Sequence, residues 1–373
     1  MDLLTIGAFA ALTRLSPKAL RLYAELGLLP PAHIDPVSGY RFYAPAQLER
    51  ARLVAWLRRL GMPLSLIRTV CELDPIEAAE AVKTFWAQVE ADLAARRDLS
   101  GFLVQELSGD HDHEPASGSQ VRLELRYAAR SDAGLVRSSN QDAAYAGTGL
   151  IAVADGFGTG GERAGPAAID ALRGLALDHG ASAGDVLNAL QDAIGRANHA
   201  VGALIEPGTE AVGPPIGTTL TALLWTGSRV ALVHIGDSRA YLLRGGQFFQ
   251  VTHDHTLVQA MVDDGRLSPA EAASHPQRAL LLRALDGKSG PAADIRWQAA
   301  LPGDRYLLCS DGLSAVVEDA DIAKVVAAVA EPDEMVRELI GLARAAGAPD
   351  NVSCVLAEVS AAVSGAPGVP AGW

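Results

Sequence analysis

The chain has 373 residues, 49% of them hydrophobic, and a formal net charge of −13; that length is too great for one ordinary domain and suits two, the larger of about 240 residues. No window reaches the roughly 18 apolar residues a membrane span needs, and the amino terminus lacks a basic stretch followed by an apolar run, so a cytoplasmic protein with no membrane partner is expected. The three scattered cysteines, Cys71, Cys309 and Cys354, exclude a disulfide framework or a zinc site.

Helical periodicity governs the first hundred residues. Thr5 is placed to cap a helix over 6–12, and Ser16-Pro17 opens a second over 18–26 that stops at Gly27. Two short helices across a tight turn are the helix-turn-helix pattern. A loop with Pro30, Pro31, Pro36 and Gly39 leads into Tyr40-Arg41-Phe42-Tyr43, which alternates like a small hairpin or wing; a helix over 45–60 follows, and another opens at 61–67. Residues 1–74 carry nine Lys/Arg against six Asp/Glu, a net of +3 that leaves −16 for the remainder. That asymmetry suits a nucleic-acid-facing head on an acidic body.

The motifs Leu20-Arg21-Leu22-Tyr23, Gly27-Leu28-Leu29-Pro30, Gly39-Tyr40-Arg41-Phe42-Tyr43 and Leu60-Gly61-Met62-Pro63 together resemble the DNA-binding domain of MerR-type transcription regulators. The resemblance implies double-stranded promoter DNA as a partner, with the second helix in the major groove. Lys18, Arg21 and Tyr23 are then the expected contacts on that helix, Tyr40, Arg41 and Tyr43 those of the wing, and Arg50 or Arg52 reach phosphates. Tyr23 and Tyr43 have packing as an equal alternative.

Asp74-Pro75 starts a helix that continues to about 107. Val82, Trp86, Val89, Leu93, Arg96, Ser100, Leu103 and Leu107 are spaced alternately four and three, the pattern of a coiled-coil seam, with Arg96 and Ser100 interrupting it. A lone helix of about 50 Å would leave that stripe wet, so a partner helix is expected. MerR relatives pair such helices antiparallel, which implies a homodimer; packing on the rest of the same chain is the alternative. Residues 108–120, rich in Ser, Gly, Asp, His and Pro, read as a flexible linker with His111 and His113 solvated. Residues 361–373 read as a disordered tail.

Between linker and tail, apolar strands are expected over 121–127, 150–154, 219–225, 230–235, 240–243, 306–309 and 352–359, with helices near 164–177, 183–204, 256–264 and 333–346. Strands and helices arrive in runs, which fits antiparallel sheets with helices outside. Four acidic motifs punctuate this region: Arg137-Ser138-Ser139-Asn140-Gln141-Asp142, Ala154-Asp155-Gly156, Ser310-Asp311-Gly312 and Pro349-Asp350-Asn351. Three of them place an aspartate beside the end of an apolar run. Buried together without cations, such acids resist ionisation, and an oxygen-only ligand set favours Mg2+ or Mn2+ over zinc.

With Gly217-Thr218-Thr219-Leu220, Val233-His234-Ile235-Gly236-Asp237-Ser238-Arg239 and the run from Asp304 to Gly312, the order and spacing of these motifs resemble the metal-dependent protein phosphatases of the PP2C type in their bacterial form. The resemblance covers about 121–359. Together with the MerR resemblance it implies a multidomain chain: an all-α winged helix-turn-helix domain (1–74), a long dimerisation helix (75–107), and an α+β phosphatase domain (121–360) built as a two-sheet antiparallel β-sandwich flanked by helices. It implies that Asp155 bridges two Mn2+ or Mg2+ ions, that Gly156 offers its carbonyl, and that Asp311 and Asp350 complete the set. Asp237 with Asp311 matches a third, weaker metal position, and Asp142 supports the site directly or through water. Water activated between the ions would attack the phosphoserine or phosphothreonine ester of a protein substrate, with Arg137 gripping the phosphoryl oxygens.

Phe157 stands where some relatives carry a histidine acid, so water or another group must protonate the leaving oxygen. His253, His255 and His275 surround a variable flap over 252–285 and read as surface or packing residues. The expected function is a phosphatase fused to a DNA-binding head; the alternative is a regulator whose phosphatase-like domain senses a ligand without turnover.

Overall fold

The computed structural model describes residues 3–108, 123–175, 183–205, 215–288 and 290–361. It forms two compact units, one of residues 1–89 with 256–280 and one of 90–255 with 281–373. The linker and the tail expected from the sequence fall almost wholly outside the described residues.

The head runs β1 (Leu4–Thr5), α1 (Ile6–Thr13), α2 (Pro17–Glu25), β2 (His33–Ile34), β3 (Arg41–Tyr43), α3 (Leu48–Arg59) and α4 (Leu64–Val70), then α5 (Pro75–Ser108). The caps are those the residue types dictate: Thr5 Oγ1 accepts from the Ala8 N–H at 3.3 Å, and Ser16 Oγ from the Ala19 N–H at 3.0 Å, with Pro17 in the first turn of α2. The head is not all-α. A three-stranded antiparallel sheet, β1-β3-β2, is present because Leu4 and Thr5, just ahead of the first helix, pair with the wing strand. Asp35 closes the β2–β3 turn by accepting the N–H groups of Val37 and Ser38 at 2.9 and 2.7 Å. Phe9, Leu20, Leu28, Leu29, Tyr43, Met62 and Ile67 fill the head core, and Ala78, Val82 and Phe85 of α5 pack against it. Farther along α5, Trp86, Leu93 and Val104 stay exposed.

The remainder is built from β4 (Leu123–Asp132), β5 (Asp142–Ala146), β6 (Leu150–Phe157), α6 (Gly161–Arg173), α7 (Ala183–Gly202), β7 (Gly217–Thr218), β8 (Leu220–Trp225), β9 (Arg229–Ile235), β10 (Arg239–Arg244), β11 (Gln247–Gln250), α8 (Leu257–Asp263), α9 (Pro269–Ala273), β12 (Asp294–Ala299), β13 (Arg305–Cys309), α10 (Asp311–Ser314), α11 (Asp319–Ala328), α12 (Pro332–Ala345) and β14 (Val352–Ala361). Two antiparallel sheets result, β11-β10-β13-β14-β4 and β12-β9-β8-β6-β5, with β7 added beside β6.

Three apolar layers follow from the period of two along each strand. Ile151 and Val153 face the inter-sheet core with Leu223, Leu232, Leu308 and Val355. Leu150, Ala152 and Ala154 face the opposite way, onto α6 and α7. Leu307, Cys309, Cys354 and Leu356 pack under α11 and α12. No helix among the described residues is long and apolar enough to cross a membrane.

Candidate active site

Strand parity builds the site. On β6 the residues that face the other sheet are 151 and 153, so the next in phase is Asp155, at the strand's end. The same count from Leu223 on β8 reaches Thr221 and then Thr219, and from Leu308 it reaches Ser310. From Val355 on β14 it reaches Ser353. The inter-sheet layer is therefore apolar through most of its length and polar at one end. Register completes the set: β5 pairs with β6 so that Asp142 stands directly opposite Asp155.

Hydrogen bonds hold the polar end in place. The Asp155 N–H donates to Thr219 Oγ1 at 2.9 Å, and Thr219 Oγ1 meets Ser238 Oγ at 2.7 Å. The Asp155 carbonyl accepts from the Thr219 N–H at 2.9 Å and from Thr218 Oγ1 at 3.0 Å. Ser310 Oγ donates to Asp142 Oδ2 at 2.7 Å. Asn351 ties the 133–141 loop to the end of β14: its Oδ1 accepts from the Gln141 N–H at 2.9 Å, while its Nδ2 donates to the carbonyls of Ala133 and Ser139 at 3.0 and 2.9 Å. Arg137, on that loop, donates to Asp350 Oδ2 at 2.6 Å.

Two glycines are required by close approach. A Cβ on Gly156 would lie 2.1 Å from the Gly161 carbonyl oxygen, and one on Gly312 only 1.8 Å from that of Asn351. Each lets backbone pass beside the aspartate that precedes it.

The carboxyl groups are costly as they stand. Burial first, then neighbouring carboxylates, push Asp142 up to about 7 and Asp237 up to about 8. The same causes hold Asp155 well above the ordinary range and raise Asp311. Each of these residues keeps some surface exposure, yet the carboxyl ends lie deep enough for desolvation to dominate. Asp311 Oδ1 is buried without a hydrogen-bond partner among the described residues. The hydrogen bond to Asp350 raises the Arg137 guanidinium above its ordinary value, with help from Asp155 and Asp311.

Asp142, Asp155, Asp311 and Asp350 lie within electrostatic reach of one another, as Asp237 does of Asp155 and Asp311. Among the described residues no three acidic, histidine or cysteine side chains are drawn into a closed ligating group. Asp142 instead pairs with Ser310, and Asp350 with Arg137.

Ser310, Thr219 and Asn351 were each visible inside a motif, but nothing in the sequence assigned them a partner. Asp304, also within a motif, serves the fold: it is 1% exposed and takes Arg244 at 2.8 and 2.6 Å. His255 is likewise structural, its Nδ1 accepting from the Gly236 N–H at 3.2 Å.

In the head, Lys18, Arg21 and Tyr40 are exposed, and Arg41 is partly exposed, 3.8 Å from Glu25. Tyr23 and Tyr43 are not available as DNA contacts. Both are buried, and the Tyr43 ring stacks on Phe9 with centroids 4.5 Å apart, because the apolar faces of α1 and α2 close over them. Arg50 donates to the carbonyls of Leu28 and Cys71, at 3.3 and 3.2 Å, which spends it on the head's own loops.

Comparison with known proteins agrees with both halves. Residues 4–74 match the MerR HTH family regulatory proteins, and residues 136–357 match protein phosphatase 2C. The serine/threonine protein phosphatase PstP of Mycobacterium tuberculosis is 49% identical over 244 residues, which is 65% of this chain and 46% of PstP. The chain thus spans about half the length of that relative. The serine/threonine phosphatase stp of Listeria innocua is 31% identical, over 61% of this chain and 94% of its own.

Among solved structures, the M. tuberculosis PstP/Ppp phosphatase superposes with a TM-score of 0.59 at 48% identity, covering 64% of this chain and 99% of that one. The PstP catalytic domain in complex with two manganese ions gives 0.58 at 46% identity over the same shares. This chain belongs to the protein phosphatase 2C family, with a MerR-type helix-turn-helix head fused ahead of the phosphatase fold.

Proposed function

We propose that the chain is a metal-dependent phosphoserine/phosphothreonine protein phosphatase carried by a DNA-binding, dimeric regulator head. The observation that carries the enzymatic half is the gathering of Asp142, Asp155, Asp237 and Asp311 at one end of the sandwich, all raised by burial and mutual repulsion, beside Arg137. A group of acids this expensive fits a site built for divalent cations. The donors are all oxygen, which selects Mn2+ or Mg2+, and the buried Asp311 Oδ1 has no hydrogen-bond partner among the described residues.

Asp155, the Gly156 carbonyl, Asp311 and Asp350 would hold two ions, and Asp237 with Asp311 a third; Asp142, held by Ser310, would support them directly or through water. Bound there, the cations would neutralise the carboxylates, polarise a phosphoryl group and acidify water at the site. Arg137 grips two phosphoryl oxygens, its charge compensating theirs as the ester breaks. Asp350 orients that guanidinium, and Asn351 fixes the loop that bears it. Phe157 offers no proton, so the leaving oxygen draws one from water or another group. Hydrolysis of p-nitrophenyl phosphate and of a phosphothreonine peptide by the purified chain with Mn2+ tests the reading. No turnover of any phosphosubstrate would overturn it in favour of a non-catalytic sensor.

For the head, the reading is a promoter-binding dimer. Support comes from the exposed Lys18 and Arg21 on α2, Tyr40 and Arg41 at the wing, and the exposed Trp86, Leu93 and Val104 on α5, a face suited to a second copy of the helix. The domain limits that accompany it are 1–74 for the head, 75–107 for the dimerisation helix and 121–360 for the phosphatase.

Removing one phosphate contact weakens binding across sequences and flattens its salt dependence. Arg41→Ala is therefore expected to weaken binding to the protein's own upstream DNA and to lower the slope of log affinity against log salt by about 1. An unchanged affinity and slope would remove Arg41 from the interface.

A further inference from the structure

Asp237 lies in the turn Gly236-Asp237-Ser238 that joins β9 to β10, and two consecutive residues beyond β11 grip that turn. Asp254 takes the Arg239 guanidinium, which donates from Nε at 3.1 and 3.0 Å and from Nη2 at 2.7 Å. His255 takes Gly236 twice: its own N–H donates to the Gly236 carbonyl at 2.8 Å, and its ring Nδ1 accepts from the Gly236 N–H at 3.2 Å. Both backbone polar groups of the residue before Asp237 are thus bound to one partner. Gly236 is buried and His255 is 7% exposed, so loss of the ring acceptor leaves a buried N–H unpaired, which is costly.

That role requires one tautomer. A ring nitrogen that accepts from an N–H carries no proton, so the His255 proton sits on Nε2, where it is donated to Asp294 Oδ2 at 3.2 Å. Arg283 Nη1 donates to the other carboxylate oxygen at 3.1 Å and stands 3.2 Å from Nε2 itself. Asp294 therefore decides between two states of the ring. With the carboxylate present, Nε2 is a donor and Nδ1 is open to Gly236; without it, the guanidinium would donate to Nε2 and drive the proton to Nδ1, against the Gly236 N–H. Burial lowers His255, and it lowers His234, whose ring centroid is 4.7 Å away, to about 4. Both rings are then neutral at neutral pH, and Nδ1 keeps its lone pair.

Asp142 and Asp350 are oriented at their carboxylates, by Ser310 and Arg137, whereas this grip on Asp237 comes through the backbone that precedes it. We propose that His255, set by Asp294, is a positioning residue for Asp237, and that the cation position of Asp237 and Asp311 owes its affinity to that grip. The proposal deepens the metal-dependent reading above and rests on it.

The test uses the full chain and three variants. His255→Phe keeps a ring and loses the acceptor, and His255→Asn keeps an acceptor near the place of Nδ1. Asp294→Ala, at an edge-strand position whose side chain is 47% exposed, releases the tautomer without touching Gly236. Backbone hydrogen exchange over 235–240 is read without metal, and Mn2+ binding is read by titration calorimetry. Loss of one hydrogen bond to the turn is expected to speed exchange there and to weaken the weakest Mn2+ step about tenfold in His255→Phe and in Asp294→Ala, the tighter steps staying unchanged. His255→Asn is expected to stay near wild type in both measurements.

An unchanged weak step in His255→Phe or in Asp294→Ala would overturn the proposal, as would a wild-type chain that binds only two ions. So would an Asn variant as impaired as the Phe variant, or an equal loss at every step, since either result marks a loss of packing alone. A wild-type chain that binds no Mn2+ would overturn the metal-dependent reading and the affinity half of the proposal, while exchange over 235–240 still decides whether His255 holds the turn.

Discussion

Asp311→Ala is expected to lose Mn2+-dependent hydrolysis of p-nitrophenyl phosphate by about 10³-fold while staying folded. Among the described residues its Oδ1 is buried without a hydrogen-bond partner, which suits a ligand to a cation. Metal ions contribute several kcal/mol to a charged transition state; if the variant forfeits about 4 kcal/mol of that, the rate falls by about 10³, at tenfold per roughly 1.4 kcal/mol. The fold should not suffer, because the substitution removes a buried like charge from beside Asp155 and Asp350. A variant that keeps more than about a tenth of the wild-type rate, against the loss of several kcal/mol expected of a metal ligand, would mean that Asp311 does not hold the ion the chemistry uses.

The second large effect is on stability. The metal-free chain is expected to lose stability as pH rises from about 6.5 to about 8, and Mn2+ to restore it. In the folded chain the Asp142 carboxyl is pushed up to about 7 and that of Asp237 to about 8, whereas unfolded aspartate titrates near 3.9. Between those limits the folded state binds more protons than the unfolded state, so stability falls as pH rises.

His234 works against this at lower pH. Burial first, then His255, lower it to about 4; the unfolded state then binds the extra proton between about 4 and 6.5, where this one group's contribution to stability rises with pH. His255, lowered chiefly by burial, acts in the same sense. The histidines therefore offset part of the carboxylate effect below about 6.5 and none of it above, where the expected loss is about 2 kcal/mol. Cations bind the ionised carboxylates and displace their protons, and a ligand at a hundred times its dissociation constant adds about 2.7 kcal/mol. Urea denaturation at pH 6.5 and 8, with and without Mn2+, measures both. A metal-free chain that gains stability over that interval would contradict the electrostatics assigned to the cluster.

What the sequence made legible was set by how strongly each element is patterned. The runs 150–154, 230–235 and 306–309 are apolar enough to read as strands, and their parity carries Asp155 and Ser310 to the same face. β5 escaped notice because Asp142-Ala143-Ala144-Tyr145-Ala146 has no β-branched residue. β12, with Asp294, Arg296 and Gln298 alternating along it, reads as polar loop because it is an edge strand.

The aspartates could be picked out by their place at strand ends, but their hydrogen-bond partners could not. Ser310 meets Asp142 across 168 positions of chain, a distance no local pattern encodes. Tyr43 misled for a related reason: in a strand of three residues, alternation alone does not say which side faces solvent, and the closure of α1 and α2 decides it. The flap over 252–285 was legible as a variable segment of the phosphatase region, whereas the attachment of its 256–280 part to α4 arises from tertiary packing around Gly265.

The most direct test of the central claim is the anomalous scattering of manganese from crystals of the full chain grown with Mn2+. The account predicts at least two peaks at the polar end of the sandwich, one bonded to the Asp155 carboxylate on one side and to Asp311 and Asp350 on the other. Density for manganese elsewhere with none beside Asp155 would contradict it.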